Sequence, residues 1–223
     1  MGFLAMMLDS PMQSWGYQSQ YSHQRTTLSY PTKSGVLGLI CAAMGVGRDD
    51  QKKLQELRGL LMTTYTFGDP EVCTDFHTIG HGTSRGDAGF LRKMDRKAAN
   101  RTVITHRSYL LGVRFGVVLE GDDSLLDEAE QGLVNPRWGV WLGRKCCLPT
   151  MPIFQGRFTS FQDASDHLKG INDPSECIPR LLTKSVKEVS GASGDYTRIL
   201  RDTPLDFEGR SFGPRFVDDN PDI

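Results

Sequence analysis

The sequence predicts an α+β fold with ferredoxin-like element order, on three observations. Apolar residues recur at period two through Tyr109, Leu111, Val113, Phe115, Val117 and Leu119, the pattern of a strand. Two segments, around residues 54–61 and 125–133, repeat apolar residues at helical spacing. Between the candidate strands at 63–67 and 109–119 lies a basic stretch with few large apolar residues, which cannot bury a core face. In chain order these give strand, helix, strand, basic protrusion, strand, helix, strand. That is the β-α-β-β-α-β arrangement with an insertion at its central hairpin.

Each element has its own justification. Residues 3–9 are an apolar run ended by Ser10-Pro11, as a short buried strand would be. A polar loop runs to Lys33. Residues 36–44 are apolar on nearly every side, so the helix there is expected to be buried, with Gly45 and Gly47 stopping it. Asp49 and Asp50 then precede Leu54, Leu57, Leu60 and Leu61, an amphipathic helix with acids at its start. The stretch 75–100 is expected to be a mobile loop or a long protruding hairpin. Residues 109–119 read as one uninterrupted strand. Leu125, Ala129 and Leu133 share a helical face that Asn135-Pro136 terminates, and 140–142 reads as a further short strand. Residues 149–223 hold a helix candidate near 163–168, apolar runs at 178–182 and 186–189, and many Gly/Pro turns. The expected division is therefore a ferredoxin-like domain over 1–148 and a small β-rich C-terminal domain over 149–223.

Composition excludes several classes. The 223 residues suffice for one large domain, or two small ones sharing a core, without covalent staples. No apolar run of membrane-spanning length and no signal-peptide pattern occurs, so no membrane partner and a cytoplasmic location are expected. The odd set Cys41, Cys73, Cys146, Cys147 and Cys177 contains no C-x-x-C pair, which reads as reduced thiols. His23, His77, His81, His106 and His167 are too scattered to suggest a metal site, and no cofactor is expected. The net charge of −1 hides an uneven distribution. From 77 to 107 there are seven Lys/Arg against two acids, and from 120 to 130 six acids and no Lys or Arg. One surface is thus expected to face a polyanion while another points elsewhere.

The stretch "SYPTKSGVLGLICAAMGVGRDD" brings Lys and Gly together as a phosphate loop does, but in the wrong order. A P-loop places its glycines before the Lys, whereas Lys33 and Ser34 precede Gly35 and Gly38. Two readings survive. Thr32 or Ser34 caps a helix whose N-terminus and Lys33 favour a backbone phosphate, or the caps are ordinary and the glycines permit close helix packing. Trp15, in a polar loop with Tyr17, Tyr21, His23 and Arg25, suits stacking on unpaired bases. "VRFGVVLE" matches the RNA-recognition signature poorly. A metal-independent endoribonuclease would need an acid/base pair; His77, His81 and His106 in or beside the basic segment are the candidates, although no spacing joins them.

Four stretches together, "SPMQSWG", "YPTKSGVLGLICAAMGVGRDD", "THRSYLLGVRFGVVLEG" and "WLGRKCCLPTMP", resemble the CasD family in order and spacing over residues 10–152. CasD is the backbone-capping subunit of the type I-E CRISPR antiviral complex Cascade. The resemblance implies a modified ferredoxin-like, RRM-like domain of the RAMP superfamily with a basic β-hairpin thumb at about 75–107. It implies a non-catalytic role, holding the 5′ handle of mature CRISPR RNA. The implied partners are a CasC-type backbone subunit, a CasA-type large subunit and, through the complex, target DNA. Relatives in type I-C systems cut precursor RNA with a Tyr, Lys and His group that no spacing here places; such an endoribonuclease is the alternative. On this reading Arg92, Lys93, Arg96, Lys97 and Arg101 of the thumb meet handle phosphates or a neighbouring subunit. Trp15, Arg25, Lys33, Ser34, His106, Arg107, Arg144 and Lys145 complete the expected RNA-binding set, and Arg107 and Arg144 are favoured for ordered contacts because guanidinium groups bind phosphate bidentately and stack.

Overall fold

A computed structural model describes residues 1–17, 23–79, 103–171, 181–189 and 198–219. Its elements begin with β1 (Gly2–Asp9), β2 (Met12–Gln13), β3 (Gln24–Arg25), α1 (Lys33–Met44) and α2 (Gln51–Arg58). There follow β4 (Leu61–Phe67), β5 (Glu71–Ile79), β6 (Val103–Leu111), β7 (Arg114–Gly121) and α3 (Asp123–Val134). The chain continues through β8 (Phe154–Phe158), α4 (Phe161–Ile171), β9 (Leu182–Glu188), β10 (Arg198–Asp206) and β11 (Ser211–Asp218).

Seven strands form one sheet in the order β10-β11-β9-β4-β7-β1-β8, with every neighbouring pair antiparallel. Within it, α1 and α2 connect β1 to β4, and α3 connects β7 to β8. This connectivity is compatible with the β-α-β-β-α-β unit expected from the sequence. The β5–β6 hairpin is inserted between β4 and β7, where the protrusion was expected, and belongs to a smaller sheet. In that sheet β6 pairs β5 along its whole length on one edge, and β2 and β3 on the other.

Alternation along the central strands sorts side chains between two cores. Leu4, Met6 and Leu8 of β1 and Phe115, Val117 and Leu119 of β7 join α1 and α3 in the larger cluster. Ala5, Met7 and Val118 face the other way, against Ala164 and Leu168 of α4. α1 starts at Thr32, whose hydroxyl accepts from the Gly35 amide at 3.2 Å, and stops at Gly45 in the left-handed region. Thr32, rather than Ser34, is therefore the cap. Gly35 is needed for packing, since a Cβ there would lie 2.8 Å from the Trp15 ring.

Three expectations need correction. The run 109–119 is not one strand. Gly112, at φ 69°, turns the chain, so β6 ends in the small sheet and β7 begins in the large one. Period-two alternation survives the turn and conceals it. Residues 140–142 do not form a strand; the edge strand after α3 is β8. The 137–147 segment is instead a strap: the amides of Arg137 and Trp138 bond the carbonyls of Ala43 and Ala42 at the end of α1, and the Leu142 carbonyl accepts from Ser14. Finally, Leu60 and Leu61 lie beyond α2, and Leu61 opens β4. The boundary expected at 148/149 coincides with no break in the large sheet, because β8 pairs β1 and β9 pairs β4.

Buried charges tie the C-terminal strands to α1. Lys33 is 2% exposed, and its Nζ meets Glu188 Oε1 at 2.7 Å. Glu188 Oε2 also accepts from the Met62 amide. Arg215 makes two bonds to Asp202, at 2.9 and 2.7 Å, and Asp202 Oδ2 accepts from the Lys33 amide at 2.9 Å. Burial holds the Lys33 ammonium below and the Glu188 carboxyl above their usual ranges, although each draws the other back. Removing one partner would strand the other charge, which costs roughly 3–5 kcal/mol. Lys33→Met is expected to lose that much in urea unfolding, with the double variant Lys33→Met/Glu188→Leu recovering most of it; an unshifted midpoint for the single variant would refute the pair's structural role.

Candidate nucleic-acid interface

The small sheet determines which basic side chains meet. In the parallel pairing of β3 with β6, Arg25 lies opposite Arg107, so the two share a face. Tyr109, two residues further along β6, projects to that same face. Arg144 reaches it from the strap: its guanidinium lies 4.5 Å from the Tyr109 ring centroid, and Nη2 donates to the Arg25 carbonyl at 3.1 Å. Only glycine fits immediately before Arg144, since Gly143 has φ 95° and a Cβ would lie 1.7 Å from the Ser14 carbonyl oxygen. A fourth cation comes from the β10–β11 turn. Burial first, and then the positive charges of Arg107, Arg144 and Arg210, hold the Arg25 guanidinium below the usual arginine range.

Among the described residues no carboxylate lies within ion-pair distance of Arg25, Arg107 or Arg144. Arg107 Nε donates to Thr105 Oγ1 at 3.2 Å, while Arg144 Nη1 is buried without an acceptor. Like charges held together at a surface repel one another, and an arriving polyanion relieves that repulsion. Guanidinium forks with free donors suit phosphate oxygens, and the sequence order of 25, 107, 144 and 210 gives no hint that they converge.

The reverse face of the hairpin differs. His106 lies beside Phe76 with ring centroids 5.5 Å apart, and Phe76, Val72 and Ile104 are exposed. His77 opposes Thr105 and stands on the arginine face, its Nδ1 3.8 Å from Asp75 Oδ2. His77 and His106 therefore point to opposite sides of the hairpin. The third candidate acid/base, His81, lies outside the described residues, as do Arg92, Lys93, Arg96, Lys97 and Arg101 of the expected thumb.

Two expected contacts are corrected. Lys33 is committed to the internal Glu188 pair and does not face solvent; a Lys between Thr32 and Ser34 at a helix start looks the same in sequence whether it points out or in. Trp15 is 1% exposed, with Nε1 bonded to Gln13 Oε1 at 3.2 Å, and is a core residue rather than a stacking platform. Ser34, by contrast, lines a groove of about 430 Å³ with Trp138, Trp141 and Phe207, and Lys145 holds its Nζ 5.5 Å from the Trp141 ring centroid. The two strap tryptophans, Phe207 and Arg210 were missed, although "NPRWGVWLGRK" places two Trp between Arg137 and the Arg144-Lys145 pair. Among the described residues no three His, Cys, Asp or Glu side chains are grouped to hold a metal ion, and no helix is long and apolar enough to cross a membrane.

Comparison with known proteins identifies the architecture. The family described as CRISPR-associated protein (Cas_Cas5) matches residues 3–218. The CRISPR system Cascade subunit CasD of Escherichia coli (strain K12) is 32% identical over 166 residues, 69% of this chain and 70% of that protein. A chain of a solved CRISPR RNA-guided surveillance complex superposes with a TM-score of 0.73 at 25% identity, covering 99% of this chain and 89% of that one. A crystal structure of a Cas protein gives a TM-score of 0.66 at 27% identity, over 98% and 93% of the two chains. With its fold, its core and nearly its whole length matched, the chain belongs to the Cas5 family of CRISPR-associated proteins.

Proposed function

We propose that this chain is a CasD-type Cascade subunit that holds the 5′ handle of CRISPR RNA without cutting it. It abuts a CasC-type backbone subunit and a CasA-type large subunit in the cytoplasm. The observation that carries this reading is the cluster of Arg25, Arg107 and Arg144 on one face beside the β5–β6 hairpin, with the positive charge of Arg210 near Arg25. Phosphate contacts position an RNA strand and leave its bases free for other readout. The 32% identity to a Cascade subunit named CasD supports the same assignment.

Charge reversal tests it. With Arg107→Glu and Arg144→Glu together, the assembled complex is expected to lose the handle from nuclease protection while still forming; full retention would overturn the reading. For the isolated chain, single-strand binding falls with a log–log salt slope of roughly −0.7 per neutralised phosphate. A cluster engaging about four phosphates is thus expected to give a slope of about −3, and the double reversal a slope shallower by about 1.4.

Binding without turnover is supported by the opposed placement of His77 and His106. A general acid and base must flank one scissile phosphate, and side chains on opposite faces of a two-stranded ribbon do not. Labelled repeat RNA incubated with the purified chain in EDTA is expected to remain intact. Specific cleavage abolished by His77→Ala, His81→Ala or His106→Ala would replace this reading with the endoribonuclease.

A further inference from the structure

Two adjacent thiols stand at the end of the strap. Cys146 is exposed, Cys147 is buried, and their sulfurs lie 4.0 Å apart. Cys146 Sγ also donates to Tyr109 Oη at 3.7 Å, on the ring that the Arg144 guanidinium covers. We propose that this dithiol is an oxidation site: a hydroperoxide joins the two sulfurs in a disulfide, and the new bond unseats Arg144. The bond needs only the sulfurs, whereas its effect on a bound strand rests on the RNA-binding reading above.

Accessibility divides the roles. Cys146 meets the oxidant, while burial, and then the neighbouring Cys146, push the Cys147 thiol up to about 11. The Cys146 sulfur attacks one peroxide oxygen. An S–O bond forms as the O–O bond breaks, leaving a sulfenic acid and an alcohol, or water when the oxidant is hydrogen peroxide. The Cys147 sulfur then attacks the sulfenic sulfur. The S–S bond forms, the S–O bond breaks, and the departing hydroxide takes the Cys147 proton as water. The thiol pair is thereby oxidised by two electrons while one peroxide is reduced.

The geometry makes this bond reversible and gives it a consequence. The sulfurs must approach by about 2 Å to reach bonding distance. Adjacent Cα atoms are about 3.8 Å apart across a trans peptide, closer than the roughly 4.4 Å or more of a relaxed bridge. The ring is therefore strained, and a thiol reopens it readily. Its strain falls on the peptide between the two cysteines. The N–H of that peptide belongs to Cys147, donates to the Arg144 carbonyl at 2.8 Å and closes the turn that aims Arg144 at Tyr109. Ring closure rotates this donor and draws the Cys146 sulfur away from Tyr109, so both supports of Arg144 are disturbed together. Of the other described thiols, Cys41 lies in the larger core, while exposed Cys73 opposes Tyr109 on β5 and is the competing partner for Cys146.

The test treats the full chain with equimolar hydrogen peroxide, blocks free thiols with N-ethylmaleimide and digests with trypsin. Cleavage after Lys145 and Arg157 releases residues 146–157, which hold Cys146 and Cys147 and no other cysteine. That peptide is expected to be unlabelled and two hydrogens lighter than its reduced form, and to take up maleimide after dithiothreitol. The oxidised chain is expected to bind an oligouridylate RNA about ten-fold more weakly than the reduced chain, the range of one lost charge-assisted hydrogen bond, with dithiothreitol restoring the affinity. Cys146→Ser is expected to bind as the reduced wild type does and to be unaffected by peroxide. A peptide that stays fully labelled, a bond from Cys146 to Cys73, the two-hydrogen loss with unchanged affinity, or an affinity loss that persists in Cys146→Ser would each overturn the inference. Absence of salt-dependent binding by the reduced chain would instead overturn the phosphate reading, and the peptide mass alone would then decide whether the dithiol closes.

Discussion

The buried pairing of Lys33 with Glu188, together with Arg215 on Asp202, is the constraint on which the rest of the molecule depends. It joins the first turn of α1 to β9, β10 and β11, segments more than 150 residues away in sequence. Attraction within such a pair does not by itself make a fold more stable, because desolvation opposes it. Here burial displaces both groups of the Lys33–Glu188 pair toward neutrality, so the pairing acts mainly through geometry. It leaves one way to seat the β10–β11 hairpin on α1, and that seating puts Phe207 over Gly38 and the charge of Arg210 near Arg25.

A second constraint is the break at Gly112. By leaving the large sheet at a positive φ, the chain gives β6 to a separate sheet with its own two faces. One face gathers arginines around Tyr109, and the other carries Phe76, Val72 and Ile104 beside His106. Had 109–119 continued as a single central strand, its alternate side chains would have been buried against helices. The ribbon thereby separates an arginine-bearing face from an apolar one within a few residues.

Much of this was legible in sequence. Helices α1, α2, α3 and α4 and strands β1 and β4 follow from apolar spacing, because a core face imposes its period on the residues that fill it. What escaped has a physical reason in each case. Period two is identical on either side of a turn, so Gly112 looked like any other residue of a strand. Trp15 and Lys33 are types found both inside and outside proteins, and a sequence does not record whether Gln13 or Glu188 will be waiting for them. Arg144 and Arg107 could be singled out by chemistry, but their meeting over Tyr109 depends on the strap, which sequence reading took for a strand. Arg210 and Phe207 arrive from the opposite end of the chain and carried no local signal.

The origin of the arginines in four separate segments bears on what the site does. A cluster assembled from β3, β6, the strap and the β10–β11 turn exists only in the folded chain, and its repulsion is a standing cost that a bound strand offsets. Such a surface is electrostatically suited to a polyanion. Turnover would need proton donors and acceptors on both sides of one bond and weak hold on the product. His77 and His106 stand on opposite faces of the ribbon, while Arg25, Arg107 and Arg144 converge on one. The same buried ion pairs that close the C-terminal strands over α1 thus also bring the β10–β11 turn, and with it the charge of Arg210, toward the other arginines.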